Sequence, residues 1–84
     1  MLTIQYFASI REALSRSEEE LLLPVDVTSV QALIDHLGAN NAKFAAVFNG
    51  DKKVLVAVNQ TIVDRKHSLS ENDEVAFFPP MTGG

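Results

Sequence analysis

The stretch Thr28-Ser29-Val30-Gln31-Ala32-Leu33-Ile34-Asp35-His36-Leu37-Gly38 decides how the chain folds. Thr28 and Gln31 stand three apart, the spacing at which a hydroxyl and a side-chain amide reciprocally cap the free backbone amides of a helix start. Val30, Leu33, Ile34 and Leu37 fall at i, i+3, i+4 and i+7, so they form one apolar stripe. Gly38 can take the left-handed position that ends a helix. A helix with one apolar stripe must bury it against another element, and the flanking sequence is rich in strand patterns that could receive it.

Upstream, Leu2, Ile4 and Tyr6 alternate with Thr3, Gln5 and Phe7, which predicts a strand with the first set facing the core and Phe7 facing away. Ser9 and Glu12 repeat the capping spacing ahead of Ile10, Ala13 and Leu14, predicting a short helix. Glu18-Glu19-Glu20 reads as a solvated rim before Leu21-Leu22-Leu23-Pro24, an apolar run that suits an edge strand. Downstream, Phe44, Val47 and Phe48 fit helical spacing while Asn49-Gly50 is a favoured hairpin turn, so residues 40–48 read as a short helix running into a strand. Val54 to Val58 predicts a strand apolar on both faces, Asn59-Gln60 a turn, and Thr61-Ile62-Val63 a short strand. Ser70-Glu71-Asn72-Asp73 is turn chemistry, with Asn72 tolerant of positive φ. In the last strand Val75 and Phe77 point inward and Ala76 and Phe78 outward, until Pro79-Pro80 ends the ladder. Four or five strands with one main helix predict an α+β fold, a mixed sheet of the β-grasp, ubiquitin-like kind with the main helix on one face and short additional helices.

Eighty-four residues allow one domain, and 46% hydrophobic against 21% charged residues is a globular composition. The absence of cysteine excludes disulfides, thiolate metal sites and a thiol nucleophile. Seven basic against eleven acidic residues give a net charge of −4, and the basic residues, Lys43, Lys52, Lys53, Arg65 and Lys66 among them, are scattered, so nucleic acid is not an expected partner. Apolar runs are far shorter than the ~20 residues of a membrane span, which points to a soluble, cytoplasmic protein with no membrane partner. His36 and His67 lack a second ligand at metal spacing, and Asp73 and Glu74 have a plainer reading as turn and strand residues than as an acid–base pair.

The chain divides into a body, residues 1–78, and a tail, residues 79–84. Six residues at ~3.3 Å each project up to ~20 Å. Prolines stiffen the base of this tail, and Gly83-Gly84 give a tip without Cβ that can thread a narrow channel. The group such a tail delivers is the carboxylate of Gly84. At its root, Phe7 and Phe78 lie at the far ends of the first and last strands, which a β-grasp sheet makes parallel neighbours, so the two rings are expected side by side. Alternation alone leaves them open to two readings, a binding surface or ordinary exposed phenylalanines.

Tyr6-Phe7-Ala8 and Arg11-Glu12, Val58-Asn59-Gln60-Thr61-Ile62-Val63, and the ending Asn72-Asp73-Glu74-Val75-Ala76-Phe77-Phe78-Pro79-Pro80-Met81-Thr82-Gly83-Gly84 together resemble the small, sulfur-carrier subunits of molybdopterin synthase. Two phenylalanines, two prolines and a terminal double glycine are far more specific than the glycines alone. The departures are Asn72, where a turn glycine is common, and Met81, where valine is common. The resemblance implies a carrier with no active site of its own, working in a sulfurtransferase complex. An E1-like adenylyltransferase would use ATP to adenylate Gly84, a sulfur-donating protein would convert it to a thiocarboxylate, and the large catalytic subunit would take the tail. Sulfur would then pass to cyclic pyranopterin monophosphate, twice for the dithiolene of molybdopterin. It further implies that Pro80, Met81, Thr82 and Gly83 insert into the large subunit and that Phe7, Arg11, Ile62 and Phe78 contact it, in a heterotetramer of two small and two large subunits. No cofactor or metal is expected on this chain itself, the ATP being bound by the activating partner. Rival readings are a sulfur carrier for thiamine or another thiolated product, a ubiquitin-like modifier joined through Gly84 to lysine, and a plain interaction module with an idle tail.

Overall fold

The computed structural model describes residues 1–50 and 53–80. In chain order the elements are β1 (Leu2–Tyr6), α1 (Ala8–Leu14), β2 (Glu18–Leu21), α2 (Val30–Asn40), α3 (Ala42–Asn49), β3 (Leu55–Val58), β4 (Thr61–Val63) and β5 (Glu74–Phe78). The strands form one sheet in the order β2-β1-β5-β3-β4. β1 and β5 run parallel, with Tyr6 opposite Phe77, and the other pairs are antiparallel. This mixed sheet covered by helices is the expected β-grasp, ubiquitin-like roll.

The core is the inner face of the sheet against the helices. Alternation puts Leu2, Ile4 and Tyr6 of β1 and Val75 and Phe77 of β5 on that face, each at most 1% exposed. The stripe of α2, Val30, Leu33, Ile34 and Leu37, closes over them together with Phe44 of α3. Tyr6, Phe44, Phe48 and Phe77 make an aromatic cluster in which Phe44 and Phe48 stack at 4.5 Å and Phe48 meets Phe77 edge-on at 5.1 Å. The Asn59-Gln60 turn has both φ angles positive, 51° and 70°, as a two-residue hairpin between β3 and β4 requires, and Asn72 also takes positive φ.

Several local expectations shift when the elements pack. The first helix does not use Ser9 as its cap. Phe7 is the extended N-cap residue with no side-chain bond, and its carbonyl accepts the amides of Ile10 and Arg11 while its own N–H donates to the carbonyl of Phe77. Closing that turn through the backbone puts Ala8 at φ 52° and leaves Ser9 inside the first turn. The edge strand is Glu18–Leu21 and not the leucine run, because pairing sets Leu21 opposite Leu2 and Glu19 opposite Ile4. Leu22, expected in the strand, is 70% exposed. Nor is Glu19 a merely solvated rim residue. Its carboxylate accepts the Tyr6 O–H at 2.6 Å and pairs with Arg16 at 3.1 Å. Burial, then this carboxylate, push the Tyr6 phenol well above its ordinary range.

The main helix is capped by Ser29, one residue later than expected, whose hydroxyl accepts the Ala32 amide at 3.2 Å. Thr28 is engaged by the segment before β5, since its carbonyl accepts from the Leu69 amide, Ser29 is held extended in a bridge with Ser68, and Val30 and Gln31 donate to the carbonyls of His67 and Arg65. Gln31 turns its side chain to Asp35 instead of back to the cap. Gly38 does not end the helix. It lies inside α2, where an added Cβ would meet that of Ala45 at 3.6 Å, and α2 runs on to Asn40. Asn41 then caps α3 by accepting from Lys43 and Phe44. α3 continues through Asn49, so Asn49-Gly50 is a helix end and not a hairpin.

Candidate functional site

β1 and β5 are parallel, so α1, which follows β1, and Pro79-Pro80, which follow β5, leave the sheet at the same end. The sharp Phe7-Ala8 turn there sends Phe7 outward, 44% exposed, and starts the helix that carries the exposed Arg11. Phe78 ends β5 half-buried on the outer sheet face, paired with Leu55 of β3. Ile62 is 65% exposed on edge strand β4, opposite Ala57, which is opposite Ala76. Side chains directly across a ladder share a face. Phe78, Leu55, Ala76, Ala57 and Ile62 therefore form one apolar band on the face away from the core.

The structure thus brings Phe7, Arg11 and Phe78 to one end of the molecule and joins Ile62 to Phe78 through the sheet. Phe7 and Phe78 are neighbours along the backbone, but their rings do not stack. All five ring pairs among the described residues lie between Tyr6, Phe44, Phe48 and Phe77 on the inner side. The backbone bond from Phe7 to Phe77 still ties the two chains at this point, but Phe7 is already the N-cap of α1 and no longer continues the pleat. The expected site residues Met81, Thr82, Gly83 and Gly84 lie outside the described residues. The connecting floor of Leu55 and Ala57 is not singled out in the sequence, where Val54 to Val58 reads as a strand apolar on both faces, covered on one side and partly contacted on the other; the register with β4 and β5 shows which side faces outward.

Of the remaining titratable candidates, the Asp73 carboxylate has structural partners. Asp73 accepts from the Asn59 side-chain amide at 3.0 Å and from the Ser70 backbone at 2.8 Å, while Asn59 in turn accepts the Glu74 amide. This clasp joins the β3–β4 turn to the entry of β5, at the end of the sheet remote from Pro80. The His67 carbonyl and amide are used to hold the start of α2 and a turn with Asp64. Among the described residues no group of three or more His, Asp or Glu is placed to hold a metal ion, and no helix is long and apolar enough to cross a membrane. What the arrangement offers is an apolar outer face beside the point where the chain leaves the fold.

Known proteins are similar to this chain along its whole length. The chain is 42% identical over 84 residues, covering 100% of both, to a protein of Escherichia coli K12 named molybdopterin synthase sulfur carrier subunit. A Haemophilus influenzae protein of the same name is 36% identical over 84 residues, again covering 100% of both. Among solved structures, a putative molybdopterin converting factor, subunit 1, from Pyrococcus furiosus matches with a TM-score of 0.77 at 30% identity, over 95% of this chain and 97% of that one. A chain from the complex of subunits 1 and 2 of the molybdopterin-converting factor of Helicobacter pylori has the same fold, with a TM-score of 0.68 at 14% identity over 99% of this chain and 97% of that one. The model of the ThiS family matches residues 4–84, and the chain belongs to that family.

Proposed function

We propose that this chain is the sulfur-carrier subunit of molybdopterin synthase, acting in molybdenum cofactor biosynthesis. The observation that carries the proposal is the 42% identity over the whole of both chains to a relative of that name. The geometry is in keeping with it, since Phe7, Phe78 and Arg11 flank the exit of the chain at Pro79-Pro80 and none of them forms a reaction centre. The body, residues 1–78, is a handle for the tail, residues 79–84.

In this reading the reacting atoms are those of the Gly84 carboxylate. A carboxylate is a poor acyl donor, so an E1-like adenylyltransferase joins it to the AMP of ATP and releases pyrophosphate. Sulfur from a donor protein displaces AMP and leaves a C-terminal thiocarboxylate. Pro80, Met81, Thr82 and Gly83 then pass into the large catalytic subunit, with Phe7, Arg11, Ile62 and Phe78 against its surface. The sulfur bonds to a carbon of cyclic pyranopterin monophosphate as an oxygen substituent leaves that carbon, the bond from sulfur to the Gly84 carbonyl carbon breaks, and water restores the carboxylate. Two rounds supply the dithiolene, and a heterotetramer of two small and two large subunits provides two carriers. The chain binds no cofactor itself. In this reading the protein works in the cytoplasm. Holding the reacting group on a tail that leaves the fold through Pro79-Pro80 replaces a diffusional encounter by an oriented one, which is where this subunit contributes to rate.

Intact-mass measurement after incubation with the activating enzyme, ATP and a sulfur source tests the chemistry. Replacement of one oxygen by sulfur is expected on the full chain and not on a chain lacking Gly84. A lysine conjugate would make the chain a modifier, and equal pterin product from both chains after adding the large subunit would overturn the carrier role.

A further inference from the structure

On the helical side of the tail root lies a cleft of about 610 Å³, which the outer sheet face does not include. Ile10 and Ala13 of α1 form one wall and Ala46 and Val47 of α3 another, while Pro79 and Pro80 form the side from which the tail departs. Val54 adds to the apolar lining, and Lys53 is the charged residue that borders it. Ala13, Ala46 and Lys53 are all exposed, so the cleft opens to solvent.

We propose that this cleft is a socket for the large catalytic subunit, receiving an apolar side chain of that enzyme with a carboxylate of the same segment set against Lys53. The inference rests on the carrier reading. An enzyme that takes up the chain from Pro80 onward must close around Pro80, which is also a wall of the cleft, so the mouth of the cleft falls inside the enzyme's footprint. Apolar surface left wet in the middle of such a contact would forfeit the burial that drives association, and well-packed pockets near the centre of an interface are where binding energy concentrates. Lys53 selects the charge of the segment that enters, because an ammonium at the edge of an apolar cleft disfavours a like charge and steers an opposite one. With Phe78 engaged on the outer face and the cleft engaged on the helical face, the tail root is gripped from both sides of the sheet. That fixes the direction in which the stiff Pro79-Pro80 pair points the tail, which one contact surface alone would leave free to tilt.

Ala13→Arg and Ala46→Arg in the full chain fill the cleft from exposed helix positions, and unchanged thermal melts establish that the body is intact. Calorimetric titration against the large subunit is expected to show affinity lowered about tenfold or more by each. Lys53→Glu is expected to lower it several-fold, with a smaller loss of affinity on raising salt than the wild type shows. Wild-type affinity in both arginine variants overturns the proposal, as does weakening confined to the activating enzyme. Two other occupants are read in the same samples, and either result also overturns it. If the free carrier sediments as a dimer that Ala13→Arg dissociates, the occupant is a second copy. If nuclear Overhauser contacts join the Met81 methyl to Val47 or Val54 in the free chain, the occupant is the chain's own tail. Removal of Gly83 and Gly84 is the separate control: sulfur delivery surviving that truncation sinks the carrier reading, whereas failure of the cleft variants alone sinks only the socket.

Discussion

Phe77 and Phe78 are adjacent, chemically identical and turned to opposite faces of β5, so a pair of alanine substitutions tests the assignment of core and contact surface. Phe77 is fully buried, with ring centroids 6.1 Å from Tyr6, 5.8 Å from Phe44 and 5.1 Å from Phe48. Phe77→Ala removes the centre of that cluster and leaves a cavity, which costs about 4 kcal/mol, within the ~3–5 kcal/mol of buried Phe→Ala changes. A chain of 84 residues has a total stability of roughly 4–13 kcal/mol. The substitution thus consumes a third or more of what holds the fold and lowers the melting temperature by on the order of 15–30 °C. Phe78 is half-buried against Leu55 on the outer face, and full burial of such a ring is worth only ~1.5–3 kcal/mol, so Phe78→Ala costs about 1 kcal/mol and a few degrees. Urea unfolding followed by circular dichroism measures both, and calorimetric titration of the Phe78→Ala chain with the large subunit is expected to show a loss of about tenfold or more in affinity. Equal destabilisation by the two substitutions would refute the division of β5 into a core face and a contact face. A Phe78→Ala chain with full affinity would remove the ring from the interface.

Two other substitutions separate local expectation from packing. Gly38 lies inside α2 with room for a Cβ, so Gly38→Ala is expected to stabilise the protein by about 0.5–1 kcal/mol in urea titrations; a left-handed helix end at this position would make the same change destabilising. Tyr6→Phe removes the O–H bond to Glu19 and is expected to cost about 1–2 kcal/mol at neutral pH. Because the folded state raises the Tyr6 pKa, the folded chain keeps the phenolic proton after the unfolded chain has begun to lose it. The Tyr6 contribution is therefore complete below pH ~10 and declines as pH rises above that value, so the wild-type stability advantage over Tyr6→Phe should shrink in that range.

Much of the body could be read from residues in order. Period two in β1 and β5 and the i, i+3, i+4, i+7 stripe of α2 named the core residues, since each is a choice of face that repeats within one element. The tail and its double glycine, with the phenylalanine-proline run before them, named the function through resemblance. Readings that depended on a single boundary fared worse. The cap of α2 moved from Thr28 to Ser29 because the carbonyls of Arg65 and His67, more than thirty residues away, hold its first amides. The edge strand moved from the leucines to the glutamates because β1 offers its ladder to Glu18–Leu21. An apolar run and a polar run have the same backbone, and the neighbour that supplies hydrogen bonds decides which of them becomes strand.

By itself the sequence determined which side chains are inward, that one helix lies on a mixed sheet, and that the chain leaves the fold stiffly through two prolines. Those are properties of short-range periodicity and of backbone chemistry carried by single residues. Only the tertiary structure decided that Leu55, Ala57 and Ala76 join Ile62 to Phe78, and that Ala13, Ala46 and Pro80, drawn from three distant segments, enclose one cleft. Surfaces of that kind are made by register and by helix packing. Neither leaves a mark in the local pattern, because alanine, valine and proline serve equally well where no such surface exists.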